Sequence, residues 1–537
     1  MGKQIWKAVV PVLVAVVIAL LPVPEGLTPN AWNYFALFAG VVIGLILEPI
    51  SAAAIGLFGV TLAATFLLVQ PPPAKTFKTD AGKAGVAATD NVPKGGSAVK
   101  APAAPGSSDG KAATPPVPGP GKSGPPSTAA EKPKGATPSD AIRWALSGFA
   151  NGTVWLIFIA YMLAMGYEKT GLGRRLGLVL VKLLGKKTLG LGYAVAVSDL
   201  VLSPFTPSNT ARSGGTIFPI IKNIPPLFGS TPEENPRKIG SYLMWTAIAT
   251  TCVTSSLFLT GLAPNLLALT LVQKTAKVSI SWTEWFIGFL PMGAILFFSV
   301  PLLTYLLYPP SMKTSEDAHR WAGEELKKMG KTSRNERLMA GLAVLALLLW
   351  IFGGKYLDAT TVALVVLSLM LLTGIVKWED VTGNRQAWNV LVWFGTLVTL
   401  ADGLNQVGFL KWISEAAARS MVGVPVTMMM ILLTVFFFAA HYMFASITAH
   451  TTALLPVLLA TAMSVPGVPV KPMAMLLCFS LGIMGVITPY ATGPSPIYYG
   501  SGYISRTAYW SLGLVFGIYF LAVLLLIGVP YMNILYP

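Results

Sequence analysis

Charge is scarce in this sequence. Only 11% of its 537 residues are Asp, Glu, Lys or Arg, while 54% are hydrophobic; an ordinary soluble domain carries about 25% charged residues. That shortage of polar surface excludes a large soluble multi-domain protein, and a mean hydropathy of +0.66 makes an integral membrane protein the default. Histidine (three residues) and cysteine (two) are also rare. Cys252 and Cys478 both lie inside apolar runs, which reads as core packing and not as a disulfide or metal site. The sequence has no HExxH, no Gly-rich phosphate loop and no nucleophile–base pair, so an enzyme is not expected. The net charge of +16 does not point to nucleic acid, because the basic residues sit in loops beside apolar spans, where topology explains them.

What is abundant is apolar sequence long enough to cross roughly 30 Å of hydrocarbon, about 20 residues at a time. Eleven stretches qualify: 5–22, 32–48, 52–69, 148–166, 241–272, 283–308, 337–353, 360–376, 388–402, 473–498 and 510–532. The first has no small-residue cleavage site and is read as a membrane helix with Lys3 and Lys7 inside. Eleven crossings place the N-terminus in the cytoplasm and the C-terminus outside. Arg174, Arg175, Lys182, Lys186, Lys187, Lys222, Arg237 and Lys238 then all fall inside, as the charge rule requires. The loop at 313–337 is rich in both signs and is expected to form a short surface helix, with His319 solvated. The fourteen tryptophans mostly cluster at span ends as interfacial anchors.

The domain layout expected is 1–70 as scaffold helices, 71–140 as an extracytoplasmic loop, 141–309 as a first repeat, 310–336 as a charged inner loop and 337–537 as a second repeat. The segment 71–140, rich in Pro, Ala, Gly, Ser and Lys, cannot bury enough apolar area to offset chain entropy, and is expected to be disordered.

Two further apolar stretches, 190–221 and 426–460, are broken at mid-length by Pro, Ser, Thr and Gly, and they belong to an internal duplication. Gly166 and Gly171 fall 237 positions before Gly403 and Gly408; Ser208, Thr210 and Ala211 fall 238 before Ser446, Thr448 and Ala449. Arg212 falls 238 before His450, and Pro219 falls 237 before Pro456. The crossing count makes the repeats inverted, the first hairpin opening inward and the second outward. Each reads as a re-entrant hairpin whose irregular tip must be buried in protein or water. Each is followed by an interrupted helix, at Gly261, Pro264 and Asn265 and at Thr488, Pro489, Gly493, Pro494 and Pro496, where proline frees carbonyls. Inverted repeats with broken helices at the midplane mark secondary transporters, and half-helix N-termini there suit an anion. A channel is disfavoured because it would need a continuous polar pore.

At these residues the sequence resembles the divalent anion/sodium symporter family. Ser208-Asn209-Thr210 matches its hairpin-tip motif. The run TPYATGPSP at 488–496 looks like the subgroup of 2-oxoglutarate/malate translocators and citrate or tartrate/succinate antiporters. The resemblance implies an all-α polytopic carrier of di- and tricarboxylates in a bacterial inner membrane. It further implies a homodimer contacting through its scaffold and alternating access by movement of the hairpin-bearing part. Carried over, Ser208, Asn209, Thr210, Ser446, Thr448, Thr488 and Pro489 bind substrate, and Ser208, Asn209 and Gly261 would form a sodium site. The second tip departs from the family: Ile447 stands where the amide for a second sodium belongs.

That departure gives Arg212 and His450 their interest. A cation inside a membrane domain is costly and usually functional. The expectation is that these two side chains neutralise substrate carboxylates as sodium ions do in the symporters. An empty carrier would then keep uncompensated charge, which favours exchange over net uptake, and Arg212→Gln would abolish exchange with little loss of folding. The competing readings are pairing of Arg212 with a carboxylate such as Asp199, a satisfied core role for His450 and His441, and a sodium-coupled symport. Asp402 is read as a partner for a nearby base.

Overall fold

The computed structural model describes residues 2–69, 137–420 and 423–536. They are helical, with no strand among the described residues. The expectation of disorder at 71–140 lies outside the described residues except at its end. There a Thr137–Asp140 capping box starts a helix at Pro138–Ala145, so residues 137–140 belong to an element and not to a loop.

Helices begin where the sequence supplies a short polar side chain. Thr28, Ser51, Asn151, Asp358, Ser446 and Ser505 each accept a hydrogen bond from a first-turn N–H. Ser281 with Glu284 and Ser333 with Glu336 close full capping boxes. Proline inside a helix is tolerated where a neighbour meets the carbonyl it frees. In Trp282–Leu307, Pro291 cannot bond the Ile287 carbonyl, which instead accepts the Tyr531 hydroxyl at 3.3 Å.

The expected spans appear within a few residues: Gly2–Leu20, Pro29–Leu47, Ala52–Thr65, Gly152–Thr170, Trp282–Leu307, Arg334–Phe352, Ala359–Leu372, Arg385–Gln406 and Arg506–Val523. The charged loop forms the helix Glu316–Met329. It packs on Leu172–Leu184, with Arg174 on Glu325 at 2.9 Å. Two helix–tip–helix hairpins stand out. The first runs from Thr188–Leu202 through 206–209 into a π-helical return, Thr210–Ile217; the second runs from Val426–Ala440 through 444–446 into Ile447–Met463. Both interrupted helices are present, Gly240–Leu257 resuming at Ala263–Ala276, and Val470–Ile483 resuming at Ser495–Gly500.

Candidate functional site

The first break is sewn to the first hairpin. Pro264 and the extended Phe258 and Leu262 leave carbonyls without helical partners. Asn265 Nδ2 donates to Ser255 O at 2.7 Å and to Phe258 O at 3.2 Å. Ser203 Oγ donates to Thr254 O at 2.8 Å, and the Ala263 N–H to Pro207 O at 2.7 Å. Gly261 has no room for a side chain: a Cβ there would meet Ser203 Oγ at 2.7 Å.

Arg212 completes this seam. It is fully buried, and all five of its N–H donors have acceptors. Nε lies 3.2 Å from both oxygens of Asp199; Nη1 donates to Thr206 O at 2.9 Å and Gly261 O at 2.7 Å; Nη2 donates to Ser255 Oγ at 3.0 Å and to Thr251 and Thr254 Oγ1 at 3.4 Å. Asp199 also accepts from Thr251 at 2.9 Å and from Thr254. The guanidinium is therefore paired and caged, which is the competing reading the sequence left open. Its positive charge is offset within the protein.

The second break reaches both hairpins. Asn209 Nδ2 donates to Thr492 Oγ1 at 2.8 Å, and Ser213 Oγ meets the Tyr498 hydroxyl at 2.9 Å. From the second hairpin, His441 Nε2 meets Ala491 O at 2.8 Å. His450 is fully buried against Phe437, His441 and Phe444, and neither ring nitrogen has a partner.

Tips and breaks converge on one cavity of about 220 Å³. Its walls include Ser208, Asn209 and Thr210 from the first tip and Ser446, Ile447 and Thr448 from the second. Leu262, Ala263 and Pro264 come from one break, and Thr492 and Gly493 from the other. Two helices start at this cavity, Ile447–Met463 and Ala263–Ala276. The second has no side-chain cap; its Ala263 N–H is taken by Pro207 O, Pro264 has none, and the Asn265 N–H bonds Leu262 O at 3.1 Å. Arg212, His450, Thr488 and Pro489 lie behind the wall; Thr488 is fully buried.

Across the cavity stand residues that the sequence reading did not single out: Glu48, Tyr161, Val390, Trp393 and Phe394. Glu48 lies outside the two repeats, and the other four lie on the helices that carry Gly166 and Gly403 but away from the matched residues, which is why the offset gave no signal for them. The buried Trp393 Nε1 has no partner. Tyr161 also borders a second hollow of about 800 Å³, lined by the back of the first hairpin, Arg174, Lys222 and Trp321.

Residues 2–537 of the sequence match the model of the sodium:sulfate symporter transmembrane region. The chain belongs to that family. It is a multi-pass membrane protein of a transporter family. It is 43% identical over 531 residues to a citrate/succinate antiporter of Escherichia coli (strain K12), covering 98% of each chain. It is 42% identical over 533 residues to an L-tartrate/succinate antiporter of the same strain, again covering 98% of each. Among solved structures, the Alcanivorax borkumensis YdaH transporter matches with a TM-score of 0.50 at 18% identity, covering 74% of this chain and 90% of that one. That likeness concerns the fold of this symporter-family chain.

Proposed function

We propose that this chain is a sodium-independent exchanger of di- and tricarboxylate anions. The observation that carries this reading is the convergence of two hairpin tips and two helix starts on one cavity, lined by hydroxyls and an amide. Oriented N–H groups and uncharged donors bind carboxylates without a resident counter-ion. The relatives named as citrate/succinate and tartrate/succinate antiporters support carboxylate cargo and exchange.

The expected sodium ligands support sodium independence. Gly261 O already accepts from a guanidinium, and Ser208 Oγ accepts from the Ala211 N–H. Two carbonyls, three hydroxyls and a carboxylate surround Arg212. This is an oxygen set that a hard cation would take, and the guanidinium fills it. A sodium ion would face like charge there.

The carrier works by moving the hairpins and interrupted helices against the helices that hold Glu48, Tyr161 and Trp393, since the cavity lies between these two groups. We place it in a bacterial inner membrane, N-terminus in the cytoplasm, as a homodimer. Apolar side chains exposed on the 334–352 and 359–372 helices, such as Val344, Phe352 and Leu372, are available for lipid or a second copy.

The test is uptake of labelled succinate by reconstituted vesicles, with choline replacing sodium and with or without internal dicarboxylate. Exchange is expected in choline and only with a filled lumen. Strict sodium dependence into empty vesicles would instead establish symport.

A further inference from the structure

The second hairpin contains two buried imidazoles that do not line the anion cavity. His441 and His450 are fully buried, with ring centroids 5.0 Å apart and rings nearly perpendicular. The Ala491 carbonyl can only accept, so His441 Nε2 carries the hydrogen and Nδ1 is left as a free base in the neutral ring. Neither that Nδ1 nor either nitrogen of His450 has a partner. Buried polar atoms are rarely left unmet, and here three gather in one cluster. Phe437 and Phe444 flank His450 at 4.3 and 4.9 Å between centroids, within the range where aromatic rings support a cation.

The duplication sharpens the point. Arg212 and its counter-ion Asp199 correspond, at the offset of 238, to His450 and Phe437. The first repeat pairs a permanent cation with a carboxylate; the second pairs a titratable base with a phenyl ring. Among the described residues, no carboxylate bonds either nitrogen of His450. The helices packed around its arm hold other charges: Glu48 is exposed at the anion cavity beside the second tip, and the others are paired or exposed. Lys274 bridges Asp402, Lys411 bridges Glu415 and Lys471 bridges Glu284; Arg385 and Arg419 are exposed. The Tyr34 hydroxyl donates to Leu400 O, and Cys478 is a buried free thiol. Among the described residues, His441 is the titratable ring packed directly on His450, 5.0 Å away between centroids.

We infer that the His441–His450 pair is a proton-binding site whose proton travels with the carrier and balances the third negative charge of a tricarboxylate. This rests on the exchange reading above. On the loading side the cavity takes a trianion and the pair takes one proton from water, so cargo plus proton carries two negative charges. On the far side both leave, and a dianion loads onto the neutral pair for the return. No net charge crosses in a full turn, and one proton moves with each tricarboxylate. His450 lies one helical turn, about 5 Å, past Ser446 at the cavity. At an effective dielectric of about 20, one extra negative charge within about 10 Å favours the protonated pair by roughly tenfold or more.

The experiment uses the full chain in tight vesicles loaded with succinate. Citrate is added outside, with a trapped pH dye and a membrane-potential dye reading the lumen. One proton is expected to enter per citrate with no potential, also at alkaline pH, where free citrate is the trianion; succinate-for-succinate exchange is expected to move none. In His441→Gln the side-chain amide can still donate to Ala491 O. Its protons per citrate should fall from one to near zero, and citrate exchange should slow at least tenfold relative to succinate exchange. Potential without acidification in the wild type overturns the inference, as does acidification that fades as free citrate loses its last proton. Unchanged proton counts in His441→Gln do so too; if that variant is inactive, the wild-type counts decide. Absence of any succinate exchange in the wild type would defeat the exchange reading instead.

Discussion

Arg212 and Asp199 face each other at 3.2 Å in the first hairpin, and at the equivalent places of the second hairpin His450 packs on Phe437 at 4.3 Å between ring centroids. One half of the duplication keeps a neutralised ion pair, and the other keeps a base with no acid. The symmetry visible in the sequence thus conceals a chemical asymmetry at the two positions that matter most.

Removing Arg212 alone should be costly, because it leaves Asp199 buried and unpaired. Breaking such a pair costs about 3–5 kcal/mol. Arg212→Gln is therefore expected to lower thermal stability sharply in detergent, in contrast to the small folding effect that the sequence alone suggested. Asp199→Asn should be similarly damaging. The double variant Arg212→Met, Asp199→Leu should recover most of the loss. Equal melting temperatures for Arg212→Gln and wild type would show that the cage contributes little.

The helices, the duplication and both tips were legible in the sequence because each depends on local pattern. Apolar length gives spans, and mid-span Pro, Ser and Gly give breaks. A constant offset aligned Ser208 with Ser446. What an offset cannot show is what a side chain meets. Asp199 and Arg212 are 13 residues apart along a hairpin, yet the cage also needs Thr251, Ser255 and Gly261 from another helix. Glu48, Tyr161 and Trp393 reach the cavity from positions that the matched residues of the duplication do not include. Asn209 lines the cavity and also donates its Nδ2 to Thr492, a contact between the two halves that no periodicity marks.

That contact makes Thr492 a test of the cavity wall. Thr492→Val keeps the shape and removes the acceptor for Asn209 Nδ2, a buried donor. An orphaned buried donor costs about 1–3 kcal/mol, so succinate exchange should fall roughly tenfold or more in kcat/KM, while Thr492→Ser should stay near wild type. Equal rates in Thr492→Val and wild type would mean that the first tip is held by other contacts.

Gly493 is required for close approach and not for backbone conformation. A Cβ there would meet Thr210 Oγ1 at 1.9 Å. Gly493→Ala should push the first tip away from the second break and abolish exchange, and Thr210→Ser should not rescue it, because the hydroxyl remains in the way. The readout is succinate counterflow in vesicles, with protein recovery by size exclusion as the folding control. Full counterflow in Gly493→Ala would show that the tip has slack.

At the inner surface, the Glu316–Met329 helix is tied to Leu172–Leu184 by Glu325, which bonds Arg174 at 2.9 Å and, within its own helix, Lys328 at 2.7 Å. The hydrogen bond from Lys328 outweighs desolvation, the next effect in size, and with the charges of Lys328 and Arg174 holds the Glu325 carboxyl below its ordinary range. A carboxyl depressed in the folded state stabilises above its unfolded value, and that stability is lost as pH falls through the folded one. Docking of this helix should therefore be firm at pH 7 and loosen on acidification below the usual carboxylate range. The effect should be small, under about 1 kcal/mol, as for exposed pairs. Hydrogen exchange across 316–329 would measure it. Protection should drop between neutral and acid pH in wild type, while Glu325→Gln should begin lower and change less. If the variant lost protection as steeply as wild type, another carboxylate would have to be holding the helix, and Glu336, bonded to Arg175 at 2.6 Å, would be the one to replace next.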